Sequence, residues 1–329
     1  MKIAITGGSG FIGTNLVEYF INLGYNVINI DIAKPKNRDY DKNWIQLDIL
    51  NFDLFYNKLK EFNPNYVIHL AARTDLDEKK NIKGYDVNIQ GVDNLMNICS
   101  ELKDLNRVII ASSMLVCKLG YIPTNGFDYC PNTIYGESKV LTEKIVRRFE
   151  KIDWILVRPT SIWGPWFGAP YNNFFRLVRN SKYLNLSKKR AAIKTYGYVK
   201  NTCLQIHSLM LCKDKNVIHD YFYLGDVPPI NISDWADLIC ECENKRKPIV
   251  IPSIILKIAG FVGDILQRVG IPFPMSSFRF NNMTTNHIID LSKTLKIVEN
   301  NGGNDSQNNL YTNTKETINW LNKNKNKNK

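Results

Sequence analysis

Six short apolar runs separated by helical patterns, a glycine-rich turn directly after the first run, and a loss of that alternation after Pro159 predict an α/β protein. Its main domain is a doubly wound parallel sheet, and a smaller mixed α/β lobe follows. The runs are KIAIT (2–6), NVINID (26–31), WIQLD (44–48), YVIHLAA (66–72), RVIIAS (107–112) and WILVR (154–158). Parallel strands need crossovers, and the helical pattern after the first run, over residues 15–23, supplies the first. Past Pro159 the chain turns aromatic and Pro/Asn-rich (WGPWFGAPYNNFF, 163–175), then mixes helices and short strands up to a last helix near 314–322. The expected division is a cofactor-binding domain over 1–160 and a substrate lobe over 161–321, some of whose segments return to the first domain. A structureless Asn/Lys tail over 322–329 completes it. Ligands of open α/β sheets sit beyond the carboxyl ends of the strands, so the lobe is expected to close over the substrate there.

Composition excludes several classes. With 329 residues, 44% hydrophobic and 22% charged, the chain has the makeup of a globular protein rather than a disordered or membrane-bundle one. The net charge of +12 includes four lysines of the tail and the run Lys188, Lys189, Arg190. No RNA-binding signature, zinc-finger spacing or basic region with heptads accompanies it, so no nucleic-acid partner is expected, and an anionic small substrate explains the sign equally well. Seven scattered cysteines with no C-x-x-C pair and no signal peptide predict reduced thiols, a cytoplasmic protein and no metal site.

The most apolar stretch, residues 249–274, is interrupted by Lys257, Asp264 and Arg268 and punctuated by Pro252 and Pro272, too broken to span a bilayer. Ile254, Ile255, Ile258, Ala259, Val262 and Leu266 recur there at helical spacing, which predicts an amphipathic helix buried on that face; a helix lying in a membrane interface is the alternative.

The turn Thr6-Gly7-Gly8-Ser9-Gly10-Phe11-Ile12-Gly13 follows a strand and opens a helix, the setting a phosphate-binding loop needs. Gly7, Gly10 and Gly13 let backbone approach a pyrophosphate, while Phe11 and Ile12 lie where the helix N-terminus presents N–H groups and partial positive charge. The second run ends at Asp31, eighteen residues beyond Gly13, where a carboxylate can accept hydrogen bonds from ribose hydroxyls. The cofactor expected is therefore NAD, with the 2′-phosphate of NADP repelled by Asp31 unless Lys34, Lys36 or Arg38 pairs with it. Asp48 with Ile49, and Leu70, Ala71 and Ala72, would border the adenine and pyrophosphate. His69, inside a strand, reads as a packed core histidine rather than a base.

Tyr135-Gly136-Glu137-Ser138-Lys139 completes a set that comprises the glycine turn, Asp31, Asp48, HLAA (69–72), Asn88 with Gly91, Ser112-Ser113 and Arg158-Pro159, all in order. The set resembles the extended short-chain dehydrogenase/reductase family of Rossmann-fold nucleotide-sugar epimerases, dehydratases and reductases. The four-residue step puts Tyr135 and Lys139 on one helix face, where the ammonium would favour a tyrosinate over a phenol of ordinary pKa about 10. Tyr135 would then exchange a proton with a substrate hydroxyl while hydride moves to or from nicotinamide. The resemblance implies that Lys139 also holds the nicotinamide ribose, that Ser113 hydrogen-bonds the reacting oxygen with Ser112 beside it as a further substrate contact, and that Asn88 and Pro159 line the cofactor. It also implies a homodimer through the helix over 135–147, with Val140, Leu141 and Ile145 at the interface.

Departures narrow the reaction. Family dehydratases carry Asp-Glu directly after the hydroxyl; this chain has Met114 and Leu115, and Cys117 stands where a Tyr is usual. Ser161 replaces the Asn of standard 4-epimerases. Without the extra acid–base pair, oxidation or reduction of a carbinol, or epimerisation through a ketone, is expected on a nucleotide-linked sugar. Asn173, Arg176, Lys182 and Tyr198 are candidates to grip its diphosphate. Two alternatives remain: residues 249–274 and HIIDLSKT (287–294) resemble the 3β-hydroxysteroid dehydrogenase-like branch, which acts on sterol or lipid alcohols, and a nicotinamide-sensing binding protein would use the same fold without turnover.

Overall fold

The computed structural model describes residues 1–76, 81–271, 273–302 and 309–324, so Pro272 and residues 325–329 of the expected tail lie outside the described residues. The elements of the first half are β1 (Lys2–Thr6), α1 (Phe11–Asn22), β2 (Asn26–Asp31), β3 (Trp44–Gln46), α2 (Phe52–Phe62), β4 (Tyr66–His69), α3 (Asp86–Cys99), β5 (Arg107–Ala111), α4 (Ile134–Val146) and β6 (Trp154–Pro159). They continue with β7 (Ser161–Trp163), α5 (Tyr171–Arg179), β8 (Ile193–Lys194), β9 (Tyr196–Tyr198), α6 (Val199–Leu211), β10 (Asp220–Leu224) and β11 (Ile230–Asn231). Five helices finish the chain: α7 (Ile232–Cys242), α8 (Ser253–Arg268), α9 (Ser277–Thr284), α10 (Ser292–Asn300) and α11 (Leu310–Asn324).

Two compact units result, one from Met1–Ile162, Gly197–Gly225 and Asp290–Gln307, the other from Trp163–Tyr196, Asp226–Ile289 and Asn308–Lys329. The first holds a seven-stranded sheet in the order β10-β6-β5-β4-β1-β2-β3. Every pairing in it is parallel. The chain runs outward from β1 through β2 to β3, then returns to β4 on the other side of β1. That reversal makes the carboxyl ends of β1 and β4 the place where a ligand crevice opens.

Why the runs are apolar on both faces follows from where alternate residues go. Ile3, Ile5, Ile68, Ile109 and Ile155 pack with Leu16 and Phe20 of α1 and Ile206 and Leu209 of α6. Ala4, Val67, Val108, Ile110 and Leu156 pack instead with Phe55, Leu95, Met96 and Val146 of α2, α3 and α4. A sheet covered on both sides has no solvent face to alternate with. Arg107 of β5 pins α6 by donating to the carbonyls of Leu209 and Cys212, both at 2.8 Å, at the helix end whose partial charge suits a cation.

The seventh strand, β10, was not among the six expected. Its sequence DYFYL has only Phe222 and Leu224 fully buried, and it lies far along the chain from β6, its partner. WIQLD and YVIHLAA overreached, since β3 stops at Gln46 and β4 at His69; α1 starts four residues earlier than expected and α11 runs three residues into the expected tail.

In the second unit the aromatic text after Pro159 is core rather than loop. Trp235 of α7 has the rings of Trp163, Tyr196, Phe174 and Phe175 around it at centroid distances of 4.8, 5.0, 5.3 and 5.5 Å. Asn231 caps α7 by accepting from Ser233 and Asp234. The expected buried face of residues 249–274 is overturned. A helix forms there, α8, but Ile254, Ile255, Ile258 and Val262 are 58, 52, 57 and 41% exposed, and its buried residues are Leu256, Gly260 and Gly263. Sterics decide it: a Cβ on Gly263 would sit 1.8 Å from the Met275 carbonyl oxygen, so only a glycine face admits the segment that crosses there. Among the described residues no helix is long and apolar enough to cross a membrane, and no cluster of three potential metal ligands occurs.

His69 is packed as expected, 1% exposed on β4 with Nδ1 bonded to Thr6 Oγ1 at 2.7 Å, and among the described residues no partner reaches Nε2. Burial, aided by the charge of Lys139, pushes its pKa down from 6.5 to about 3. Between those values the unfolded chain binds a proton that the folded chain refuses, so this site makes stability fall as pH drops from about 6.5 towards 3. Thermal unfolding across that range should show His69→Asn less stable than wild type at neutral pH and the gap closing in acid; parallel acid limbs would rule the effect out.

Candidate active site

The glycine turn closes where β1 meets β4. Gly7 has φ +73°, and a Cβ on it would lie 2.5 Å from the Ala71 backbone nitrogen; at Gly13 a Cβ would lie 2.2 Å from the Gly7 carbonyl oxygen. Both positions need glycine for the turn to sit against β4 and for α1 to start within it. Gly10 stands at the N-cap of α1 and has no side chain to occupy the N–H groups of the first turn. A helix N-terminus of this kind, flanked by glycine, fits a pyrophosphate. At the end of β2 the two oxygens of Asp31 accept from Ser9 N at 3.0 Å and Ala33 N at 2.9 Å. Each oxygen retains a lone pair, so the half-buried carboxylate still fits ribose hydroxyls. Phe11, Ile12, Leu70, Ala71, Ala72 and Pro159 are all partly exposed, and Asp48 is exposed with its carboxylate accepting from Leu50 N. Ile49 differs: its side chain is buried against Gly91, where a Cβ would approach it to 2.5 Å.

Helix α4 carries the chemistry. Thr133 caps it by accepting from Gly136 N at 3.0 Å. Tyr135, Lys139 and Glu143, at steps of four, form its inner face at 8, 2 and 0% exposure. A Cβ on Gly136 would come within 2.4 Å of the Leu115 carbonyl oxygen. This glycine therefore lets the short turn over 114–116 press against α4, which sets Ser113 beside the Tyr135 phenol. Lys139 Nζ donates to the Ala111 carbonyl at the end of β5, at 2.9 Å.

Three sequence expectations are corrected here. Lys139 does not bring the phenol down: burial pushes Tyr135 up to about 12, the Ser113 hydrogen bond opposes this and Tyr85 adds to it. Burial pushes Lys139 itself down to about 8 against the pull of Glu143. Ser112 faces away from Tyr135's partners, because its hydroxyl donates to Glu143 Oε1. Asn88, fully buried, spends its amide on the backbone of Arg73 and on Ser138 Oγ, so its side chain braces α3, α4 and the loop after β4.

Sequence reasoning named Arg158 only as part of a motif and missed its partner. Arg158 and Glu143, 1 and 0% exposed, pair at 2.6 Å. Tyr129 donates to Glu143 at 2.8 Å and Arg158 donates to the Gly126 carbonyl at 2.7 Å. The spacing 135, 139, 143 is the signal that could have found Glu143.

The candidates for gripping a diphosphate divide between the two units. Asn173 and Arg176 are exposed on α5 and bond to each other at 3.2 Å, and Lys182 is exposed beyond them, all in the second unit. Tyr198 belongs to the first unit and is 2% exposed. The expected dimer face of α4 is also largely spent inside the unit. Val140 packs on Val116 and Cys117, Ile145 joins the core under α4, and only Leu141 is exposed, at 37%.

Residues 3–227 match the NAD dependent epimerase/dehydratase family. The chain is 26% identical to an Escherichia coli N-acetyl-α-D-glucosaminyl-diphospho-ditrans,octacis-undecaprenol 4-epimerase, over 89% of this chain and 88% of that protein. It is 25% identical to a Mycobacterium tuberculosis 3β-hydroxysteroid dehydrogenase/Δ5→4-isomerase, over 75 and 70%. Among solved structures it resembles the Thermotoga maritima UDP-glucose 4-epimerase with UDP-glucose, at TM-score 0.74 and 20% identity, covering 98% of this chain and 99% of the other. The Bacillus cereus UDP-glucuronic acid 4-epimerase with NAD gives 0.73 and 20% over the same shares. Glycine turn, parallel sheet and the Tyr135–Lys139 helix thus lie within the matched span, and the chain belongs to the NAD dependent epimerase/dehydratase family.

Proposed function

We propose that this chain is an NAD-dependent oxidoreductase or epimerase that transfers hydride at a carbinol carbon of a nucleotide-linked sugar, and that it is not a 4,6-dehydratase. The observation that carries this reading is the assembly of Ser113, Tyr135 and Lys139 at one strand end with no carboxylate at 114 or 115. NAD would supply the hydride acceptor and, oxidised, a positive charge. Tyr135, whose phenol is pushed up to about 12, holds its proton at rest and so stands ready to donate to a ketone oxygen; in the reverse direction the same oxygen takes the hydroxyl proton. Ser113 donates to whichever oxygen carries negative charge, and Lys139 stays fixed by the Ala111 carbonyl. Epimerisation needs only that the ketone turn over before hydride returns. Seven unpaired cysteines support a cytoplasmic location. A homodimer through α4 would rest on Leu141 and on the part of Ile145 left uncovered.

A second reading, oxidation of a sterol or lipid alcohol, is favoured by the outward apolar face of α8. A non-catalytic NAD sensor has no chemical need for the assembled triad.

Tyr135→Phe should lower turnover by about 10² to 10⁴ while leaving NAD affinity nearly unchanged. Retention of more than about half the wild-type rate would remove Tyr135 from the acid–base role. NAD should bind more tightly than NADP, since a 2′-phosphate meets the Asp31 carboxylate; Lys36 lies near enough to feel that charge, and equal or tighter NADP binding would show that it pairs with the phosphate instead. Incubation with a panel of nucleotide sugars and lipid alcohols, followed by mass spectrometry, should yield a ketone, an alcohol or a same-mass epimer of a nucleotide sugar. Elimination across two carbons needs a further positioned acid and base, so loss of water from a hexose nucleotide would refute the proposal. Turnover of the lipid alcohols alone would select the second reading.

A further inference from the structure

Helix α8 is built inside out for a helix on a water-soluble surface. Its glycines, Gly260 and Gly263, are buried, while Ile254, Ile255, Ile258, Phe261, Val262 and Ile265 are 58, 52, 57, 65, 41 and 47% exposed. Steps of four, three and four place Ile254, Ile258, Phe261 and Ile265 in one line along the helix, with Ile255 and Val262 beside it. Flanking α8 in sequence, Ile249 and, on α9, Phe278 are 71 and 66% exposed as well. Soluble monomers rarely leave so contiguous an apolar patch in water.

Charge beside the stripe says what covers it. The 3.6-residue period sets Lys257 and Arg268 along one margin. The helix's one acidic residue, Asp264, is turned to accept from Ser277 N at 3.1 Å. Where the stripe begins, Lys188, Lys189, Arg190, Ile254, Lys257 and Phe280 line an open cleft of about 620 Å³. Lys188 pairs with Asp234, whereas no ion pair among the described residues involves Lys189, Arg190 or Lys257. A second copy docked symmetrically on this face would bring these cations towards their own equivalents, which is repulsive. A bilayer bearing anionic lipids answers both features: acyl chains for the stripe, and phosphate for the cations at its edge.

We propose that this face of the second unit docks on the surface of an anionic bilayer, with α8 lying in the interface plane, its Ile/Phe stripe below the headgroups and a lipid phosphate in the cleft formed by Lys189, Arg190 and Lys257. The docking is peripheral and reversible, and it is independent of which alcohol the active site takes.

Flotation of the full chain with vesicles tests it. Vesicles of equal parts phosphatidylcholine and phosphatidylglycerol should carry the protein upward, phosphatidylcholine alone should carry much less, and added salt should weaken the binding. Lys257→Gln should weaken partitioning about five-fold, one cation's share near an anionic surface. Ile258→Ser with Phe261→Ser should weaken it about ten-fold or more. All three side chains already face solvent, so each variant should keep the wild-type thermal midpoint in lipid-free buffer. Protein that stays at the bottom of both gradients overturns the proposal, as does flotation that neither variant changes. A lipid-free dimer in light scattering that Ile258→Ser with Phe261→Ser dissolves would also overturn it, by assigning the face to a second copy.

Discussion

The buried ion pair between Arg158 and Glu143 is the constraint from which the active site takes its geometry. A charge with almost no water contact is tolerated only when its hydrogen-bonding capacity is filled, and here Ser112, Tyr129 and the Gly126 carbonyl complete it. Arg158 also lies over the ring of Tyr221 at 4.3 Å. Such a pair adds little net stability over a well-packed apolar substitute, while loss of one partner typically costs about 3–5 kcal/mol. Its value is directional. Glu143 lies two turns beyond Tyr135 on one face of α4, so holding its carboxylate against β6 fixes the rotation of the helix about its own axis. Lys139 then meets the end of β5 and Tyr135 meets Ser113.

Most of this was readable from sequence because each local requirement left a mark on residue type. Glycine at 7 and 13 reports two close backbone approaches, the six apolar runs report strands buried on both faces, and the 135/139 step reports a helix face. What failed to show was whatever depends on a partner distant in the chain. Strand β10 is specified by its neighbour β6 and by the helices over it rather than by its own two buried residues. Asn88 and Ser112 look like ligand contacts in a linear motif, and only the fold reveals that Arg73, Ser138 and Glu143 have taken their hydrogen bonds. The acidity of Tyr135 is hidden for a related reason: spacing shows that a lysine is on the same face, but burial is what moves the phenol, and it moves it up.

Helix α8 failed in the opposite sense. Its periodicity is legible in the sequence and its orientation is not. An apolar stripe at helical spacing says which residues share a face, while the identity of the inward face depends on how near the neighbouring chain comes. At Gly263 the approach of Met275 leaves no room for a side chain and at Gly260 Ser276 and Ser277 leave little, so the bulky residues turn outward.

The threading of the chain between its two units has a consequence for how the molecule is made. One face of the sheet, bearing Ile3, Ile5, Ile109 and Ile155, is closed in part by α6 and by Ile297 of α10. Those elements arrive tens to well over a hundred residues after β6 has been synthesised. A nascent chain that has just delivered Tyr135 and Lys139 from the ribosome therefore still carries an uncovered, β-rich hydrophobic surface, the kind of intermediate that chaperones hold and that aggregates when released too soon. For the same reason the cofactor-binding unit cannot be cut out of the gene at residue 160 as a free-standing module: its last covering helix is encoded after most of the second unit.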